Sequence, residues 1–533
     1  MISGLLSARF LISGFRIFIH SISVRLLVLS FFLCLGICTD VSGQEAARKQ
    51  VKLIHADNIF FDKSIVDAQR LIGNVQLLYE GTTFFCDSAY LYPTQNFDAF
   101  SRIRADKPGV YSLTGDNLFF DKANQTARVQ RGVTLKDGEM TLTSDQMVYN
   151  MDSEMAQYVA GGRIVSSKNK NILTSRKGSY SVRSQTFFFR DKVVLTNPEY
   201  TVSCDTLQYN ETSEVAYFFG PTHITSKDTK IYCENGWYNT REDICQFNEN
   251  AQVTSEKTIL KGDSIFYNGK KGFGEVFRKV SIRDTTSNFI ITGEYGKHIE
   301  STKESLVTQR ALLIQAFDSD SLFLSADTLL ARPDSLDQQL IRAFHNVRIF
   351  KEDLQGVSDS LTYFQGDSTI QLFHSPVLWS EENQITGDSI RIRTWQGHID
   401  RLIVRGNSFI ASDALKNDSL SGGAQRYNQI KGRNTEGFFR ENALHQVKVI
   451  GNGQLIYFAL EEKGETPQVI GQNKGECSDI HITIENNQIQ RINLIREPNS
   501  VFTPIKMATE SEFELEGFRW RGSERPRRKD LSR

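Results

Sequence analysis

Apolar and polar residues alternate with a period of two along most of the chain, and one phrase punctuates the alternation. Its clearest copy is Leu260 to Asn268, LKGDSIFYN: a small residue, an acid, a polar residue, an apolar one, any residue, then an aromatic. LTGDNLFFD centres on Asp116, LTSDQMVYN on Asp145, VSCDTLQYN on Asp205 and IYCENGWYN on Glu234. Weaker copies centre on Asp57, Asp87, Glu294, Asp327, Asp359 and Asp388, with Arg176 and Arg433 in the acid slot of two more. From Asp57 the steps run 30, 29, 29, 31, 29, 29, 29, 31, 33, 32, 29 and 45 residues. A fixed period of this size marks a repeat architecture and outranks any local motif.

Each repeat holds a second apolar segment with a kink in it, as in Leu71-Ile72-Gly73-Asn74-Val75-Gln76-Leu77 or Phe277-Arg278-Lys279-Val280-Ser281-Ile282. Short strands separated by turn signals at this spacing predict an all-β fold with antiparallel strands in about thirteen repeats of roughly 29 residues. Glycine inside a strand pattern predicts a bulge or sharp bend. Counted from the acid, the second and fourth positions are apolar or aromatic, as in Leu118/Phe120, Met147/Tyr149, Leu207/Tyr209, Ile265/Tyr267 and Leu361/Tyr363. The first is polar, as in Asn117, Thr206 and Ser264. Period two puts the two sets on opposite faces, so one greasy face runs through the stack.

The repeat overrides the several-domain expectation that 533 residues would raise, because stacked units share one continuous core. It is nearly metronomic in a first module, 44–283, and looser in a second, 284–456, followed by terminal strands at 457–500 and a polar basic tail at 501–533. Such a tail reads as solvated and disordered, with contact to an anionic membrane surface as the alternative. If strands alternate between two sheets, about thirteen strands per sheet at ~4.8 Å make a groove of roughly 60 Å.

Residues 1–43 are a different material. Arg9, Arg16 and Arg25 precede the apolar run Leu26 to Cys38, and Val41-Ser42-Gly43 follow before Gln44. That order predicts a secretory signal peptide, with an uncleaved anchor as the alternative. The net charge of −1 gives no electrostatic case for nucleic acid.

Candidate chemistry changes this picture little. One acid per repeat is too few for calcium, which takes six to eight oxygens, several from one short loop. The acids read instead as caps that bond nearby backbone N–H groups at strand entries. Beyond the signal, Cys86, Cys204, Cys233, Cys245 and Cys477 have no metal or disulfide spacing, and three of them fill the small slot before a repeat acid. The histidines form no catalytic set, and no nucleophile elbow, Walker loop or dinucleotide fingerprint is present. The chain reads as no enzyme, with no catalytic residues, cofactor or metal, although a polysaccharide-cleaving β-helix stays open as an alternative.

At Leu260 to Phe277 the sequence resembles the OstA-like (organic solvent tolerance) family, the periplasmic bridge component of lipopolysaccharide transport, and the resemblance extends in weaker form from Val51 to Ile456. It implies an elongated, twisted β-jellyroll whose apolar interior accepts lipid acyl chains. On that reading the groove-lining candidates are Ile59, Phe61, Leu118, Phe120, Met147, Tyr149, Leu207, Tyr209, Ile265, Tyr267, Leu361 and Tyr363. The implied partners are lipopolysaccharide or a related lipid, other OstA-like transport components paired end to end by strands, and an outer-membrane barrel assembly protein. The implied compartment is the periplasm. The competing expectation is a structural or adhesive surface β-solenoid with a solid interior.

Overall fold

A computed structural model describes residues 50–531, except 138–139, 168–169, 182, 211, 286–288, 317–319, 337, 365, 396–397, 415–424, 441–442, 464–465, 486–487 and 510–511. The segment read as a signal peptide lies outside the described residues. No helix among them is long and apolar enough to cross a membrane. Two compact units divide between Val276 and Phe277.

The first unit begins with two short strands, β1 (Lys52–His55) and β2 (Asn58–Phe61). Long strands follow: β3 (Gln69–Tyr79), β4 (Thr82–Leu91), β5 (Phe97–Lys107), β6 (Tyr111–Asp121), β7 (Thr126–Asp137) and β8 (Met140–Asn150). The next pair is broken in two, as β9 (Met155–Tyr158), β10 (Gly162–Ser166), β11 (Ile172–Ser175) and β12 (Lys177–Ser181). Long strands resume with β13 (Thr186–Thr196), β14 (Tyr200–Asn210), β15 (Val215–Ser226), β16 (Thr229–Asn239), β17 (Ile244–Ser255) and β18 (Thr258–Asn268). The division between units falls within β19 (Phe273–Asp284).

The second unit continues with β20 (Phe289–Ile299), β21 (Glu304–Ala316), β22 (Ser321–Pro333), β23 (Gln339–Lys351) and β24 (Leu354–Phe364). A broken pair follows, β25 (Thr369–Phe373), β26 (Val377–Ser380), β27 (Asn383–Thr386) and β28 (Ser389–Trp395). The last strands are β29 (His398–Asp413), β30 (Tyr427–Arg440), β31 (Ala443–Lys463), β32 (Thr466–Glu485), β33 (Gln488–Ile495) and β34 (Asn499–Pro504). Pairing within both units is antiparallel, not the parallel stacking of a β-helix.

Two local devices recur in the hairpins. At the tight turns, Asn210, Asn239 and Asn268 accept the backbone N–H three residues on, at 2.8, 2.9 and 2.9 Å. The next residues, Glu214, Asp243 and Gly272, are left-handed, so side-chain bonding and positive φ together close the loop.

The second device is a corner in mid-strand. In β17 the left-handed pair Glu249 and Asn250 (φ 58 and 57) stands where the register jumps, opposite the single residue Asp263 of β18. Asp191 and Lys192 oppose Asp205 in the same way, and Gln309 and Arg310 oppose Asp327. Two residues against one is a β-bulge, which bends the strand. Every long strand thus has a segment on each side of a corner. Strands do not alternate between two sheets; each contributes to both half-ladders. Where strands break, the halves are visible as separate elements: β8 pairs β10 through its first half and β9 through its second.

In the first unit the half-ladders close on one apolar interior. Tyr79 and Phe120 come from different halves and their ring centroids lie 5.0 Å apart; Phe84 and Phe97 do the same at 5.3 Å. The first cluster gathers Leu71, Val75, Leu77, Phe97, Leu118 and Phe120, all buried. This is the repeat-built antiparallel β fold that the period predicts and the β-jellyroll that the resemblance implies.

The second unit adds something the sequence reading missed. From Ile505 the chain doubles back and crosses strands in reverse order. Phe513 packs on Phe458, Trp520 stacks on Tyr427 at 4.5 Å, Arg525 donates to Gln355, and Arg528 lies over Phe323. This strap follows one row of cross-strand neighbours, Phe323, Phe350, Gln355, Trp379, Gln384, Ala411, Gln429 and Ile456. The row faces away from the interior, which holds the intervening Leu378, Ile385 and Leu455. Both faces of this half-ladder are therefore buried, as the consecutive buried residues Val377-Leu378-Trp379 record. The expectation of a solvated tail fails because Phe513, Leu515, Phe518 and Trp520 join a second apolar cluster around Phe409 and Ile456.

Candidate functional site: the apolar interior

Sequence-predicted lining residues fall into three groups. Leu118, Phe120 and Met147 belong to the first interior cluster. Leu207, Tyr209, Ile265 and Tyr267 lie on continuous interior rows: Phe189, Leu207, Phe218, Gly236, Phe247 and Ile265 are successive cross-strand neighbours. All seven are buried, as is Leu361 in the second unit. Tyr149 and Tyr363 are half-buried, and burial raises both phenols, Tyr149 to about 12. Ile59 and Phe61 differ, at 55% and 62% exposed. Ile59 stands opposite fully buried Leu71 and so points to the interior face. It lies on an edge strand, with no described strand on its far side to cover it.

The interior is closed by side chains. One apolar cavity of about 80 Å³ lies among Leu135, Leu142, Met147, Tyr158, Tyr180 and Phe187 in the first unit, beside the broken strands. Tyr158 makes the local difference: a Cβ on Gly162 or Gly178 would stand 2.4 or 2.3 Å from its ring, so these glycines admit it. Its hydroxyl lies 2.7 Å from Ser175 Oγ. Period-two reading missed Tyr158 because it precedes the corner rather than following an acid. The cavity is smaller than the apolar space of about 150 Å³ that holds benzene, so an acyl chain needs the half-ladders to part or an open edge.

The repeat acids hold corners rather than capping strand entries. Asn74 donates to Asp57 at 3.0 Å, Asn250 to Glu234 at 2.7 Å, Asn346 to Asp327 at 2.8 Å and Asn407 to Asp388 at 3.1 Å. Arg102 and Arg310 serve Asp87 and Glu294 in the same way. Each donor is left-handed and sits in a bulge. Most of the acids lie in mid-strand, while Asp57 and Asp388 stand in the breaks just before β2 and β28; in both settings the donors named here are side chains across the ladder. The degenerate repeat at Arg176 inverts the polarity: Asp191 occupies the bulge, and the hydrogen bond from neighbouring Lys177 holds its carboxyl below the usual range.

Among the described residues the other titratable groups make no reactive set. Cys86, Cys204, Cys233, Cys245 and Cys477 are buried free thiols, and burial pushes the first three up to about 12. His345 and His374 flank Asp359 at an exposed corner, with Nδ1 to carboxylate distances of 3.1 and 3.9 Å. Among the described residues no group of three or more His, Cys, Asp or Glu could hold a metal ion.

Comparison with known proteins adds the following. The family model for OstA-like protein matches residues 48–205 and 200–263. No curated protein matches the chain. A solved structure with local similarity is that of LptH, the LptA-homologous periplasmic component of the lipopolysaccharide transport device from Pseudomonas aeruginosa. The identity is 19% over 19% of this chain and 78% of that one, with a TM-score of 0.18. Residues 48–263, which carry the most regular repeats and the first closed interior, are thus similar to the OstA-like family.

Proposed function

We propose that this chain is a non-enzymatic periplasmic lipid carrier that passes lipopolysaccharide or a related lipid along its apolar interior toward the outer membrane. The observation that carries the reading is the unbroken interior row from Phe189 to Ile265, apolar or glycine at every strand, within a region of OstA-like sequence. Burying acyl methylenes there is favourable by about 0.8 kcal/mol each, whereas no polar group inside is needed to hold them. Leu118, Phe120, Met147, Tyr149, Leu207, Tyr209, Ile265, Tyr267, Leu361 and Tyr363 would meet the acyl chains, and Ile59 and Phe61 would meet them at the open edge. That edge also suits strand pairing with a further OstA-like component, or with a barrel assembly protein, because no described strand pairs with its outer side. Residues 1–43 would direct export.

The closed interior favours a second reading, a structural β-solenoid whose core never admits lipid. A photo-crosslinking residue at Met147 or Phe61, with Arg128 on the exposed face as control, separates the two. Lipid adducts at the first two positions and none at Arg128 are expected. Adducts at neither, from protein purified out of its native membrane environment, would leave the solenoid.

A further inference from the structure

The strap shows how this chain binds an extended segment without adding a strand. The carboxamide of Gln429 donates to the carbonyl of Phe513 and accepts from the N–H of Leu515, both at 2.8 Å. Gln384 repeats the clasp, donating to the carbonyl of Arg519 and accepting from the N–H of Arg521. Each glutamine thus holds the two backbone groups flanking one residue, Glu514 in one case and Trp520 in the other. Aromatic residues beside the glutamines take the side chains, as Tyr427 takes Trp520.

The first unit carries a similar row that the described chain leaves open. On the face away from the interior, Phe188, Gln208, Tyr217, Trp237, Gln246 and Phe266 are successive cross-strand neighbours from β13 to β18. Phe188 and Tyr217 are each 38% exposed, and Phe219, stacked beside Tyr217, is 44% exposed. The adjoining row from Arg190 to Ser264 adds a single charge, Arg190. A neutral face is unusual in a chain with 23% charged residues. Neighbouring repeats lack it: the continuation of such a row through β3 to β7 contains Arg70, Asp98 and Arg128. Neutrality disfavours an ionic ligand, and the chain's own use of an aromatic–glutamine row favours a polypeptide.

We infer that the outer face of β13–β18 docks an extended, aromatic-bearing segment of a partner protein, laid across the strands. Gln208 offers both ends of its carboxamide to the partner's backbone. Gln246, whose Nε2 donates to Ser264 Oγ at 2.9 Å, offers its oxygen. Phe188, Tyr217, Trp237 and Phe266 pack the partner's apolar side chains, as rigid rings with a small ordering cost do at protein interfaces.

The probe is a fluorescein-labelled peptide of residues 512–522, the segment already seen to fit such a row, titrated against the full chain with its own strap in place. Saturable anisotropy is expected, weakened at least tenfold by Gln208→Ala and by Tyr217→Ala, while Tyr217→Phe binds as the parent does. Unchanged circular dichroism melts show that these outer-face substitutions leave the fold intact. The inference is overturned by an absence of saturable binding, or by binding that ignores these variants and instead falls with Gln384→Ala, which would mean strap exchange. Displacement of the peptide by N-acetylglucosamine hexamer at lower concentration than unlabelled peptide would reassign the face to a glycan and overturn it too.

Discussion

Asn407 donates its side-chain amide to Asp388, 19 residues earlier and one strand away, from a left-handed backbone with φ 47. Gly406 precedes it at φ 68, and a Cβ there would stand 2.0 Å from the Asp388 carboxylate. Acid, bulge amide and glycine form one interlocked corner. Because the acid sits against the bulge backbone, its neighbour has room for glycine alone.

Gly406→Ala is expected to destabilise the second unit by about 1–2 kcal/mol from the left-handed backbone, plus the clash. Asp388→Ala should cost ~1 kcal/mol, the usual net worth of an intramolecular hydrogen bond. The double variant should lose less than the sum, since removing the carboxylate relieves the clash but not the φ penalty. Urea denaturation of the four proteins checks this. Strict additivity would separate glycine from acid.

The strap gives a second test. Gln429→Leu removes both clasping groups and leaves the Phe513 carbonyl and Leu515 N–H to find other partners, at about 1–3 kcal/mol for buried polar groups left unsatisfied. The strap should then detach more often, and trypsin should cut after Arg519 or Arg521 faster than in the parent. Equal cleavage rates would mean that the apolar cluster around Phe409 and Ile456 holds it alone.

Much of this was legible in the sequence. The acid period located the corners up to Arg433 but not the later one at Gly451 and Asn452, and positions two and four after the acid located the interior, because both follow from strand geometry. Placing the acids at strand entries was the natural misreading: Asp beside Gly or Asn signals a turn, yet here the left-handed residues form a bulge inside a continuous strand. Ile59 and Phe61 obey the pattern but lie at an edge, and periodicity has no term for a missing neighbour. The strap was invisible for another reason. Its contacts join Leu515 to Gln429 and Arg525 to Gln355, 86 and 170 residues apart, through glutamines whose outward register reads as exposed.

The buried thiols set an alkaline limit. Burial holds Cys86, Cys204 and Cys233 protonated up to about 12, against an ordinary value of 9.0, and raises Cys245 as well. Above pH 9 the unfolded chain releases these protons while the folded chain keeps them, so the unfolded state binds fewer and stability falls as pH rises. Below pH 9 both states are protonated and the effect vanishes. Melting temperature should therefore decline between pH 9 and 11, and less steeply in a Cys204→Ala, Cys233→Ala variant. At pH 8 native protein should resist iodoacetamide and react only after denaturation. Rapid labelling of folded protein would place a thiol at the surface instead.

Ile265 decides how firmly the interior is closed. It is 2% exposed and lies opposite Phe247 on the row that runs from Phe189. In a packed core Ile265→Ala leaves a cavity and costs roughly 2–5 kcal/mol, whereas Ile59→Ala at the open edge should stay within about 0.5 kcal/mol. Ile265→Glu is harsher, because a carboxylate buried opposite Phe247 in an apolar row lacks a partner and the group neutralises or the repeat opens. If lipid enters by parting the half-ladders, the Ala variant should be stabilised by added detergent or acyl chain more than the parent is, since the vacated volume enlarges a path already used. Thermal melts with and without a saturated fatty acid read this directly. An equal shift in both proteins, together with the full core penalty, would mean that Ile265 belongs to a permanent core and that lipid travels by the open edge at Ile59 and Phe61 alone.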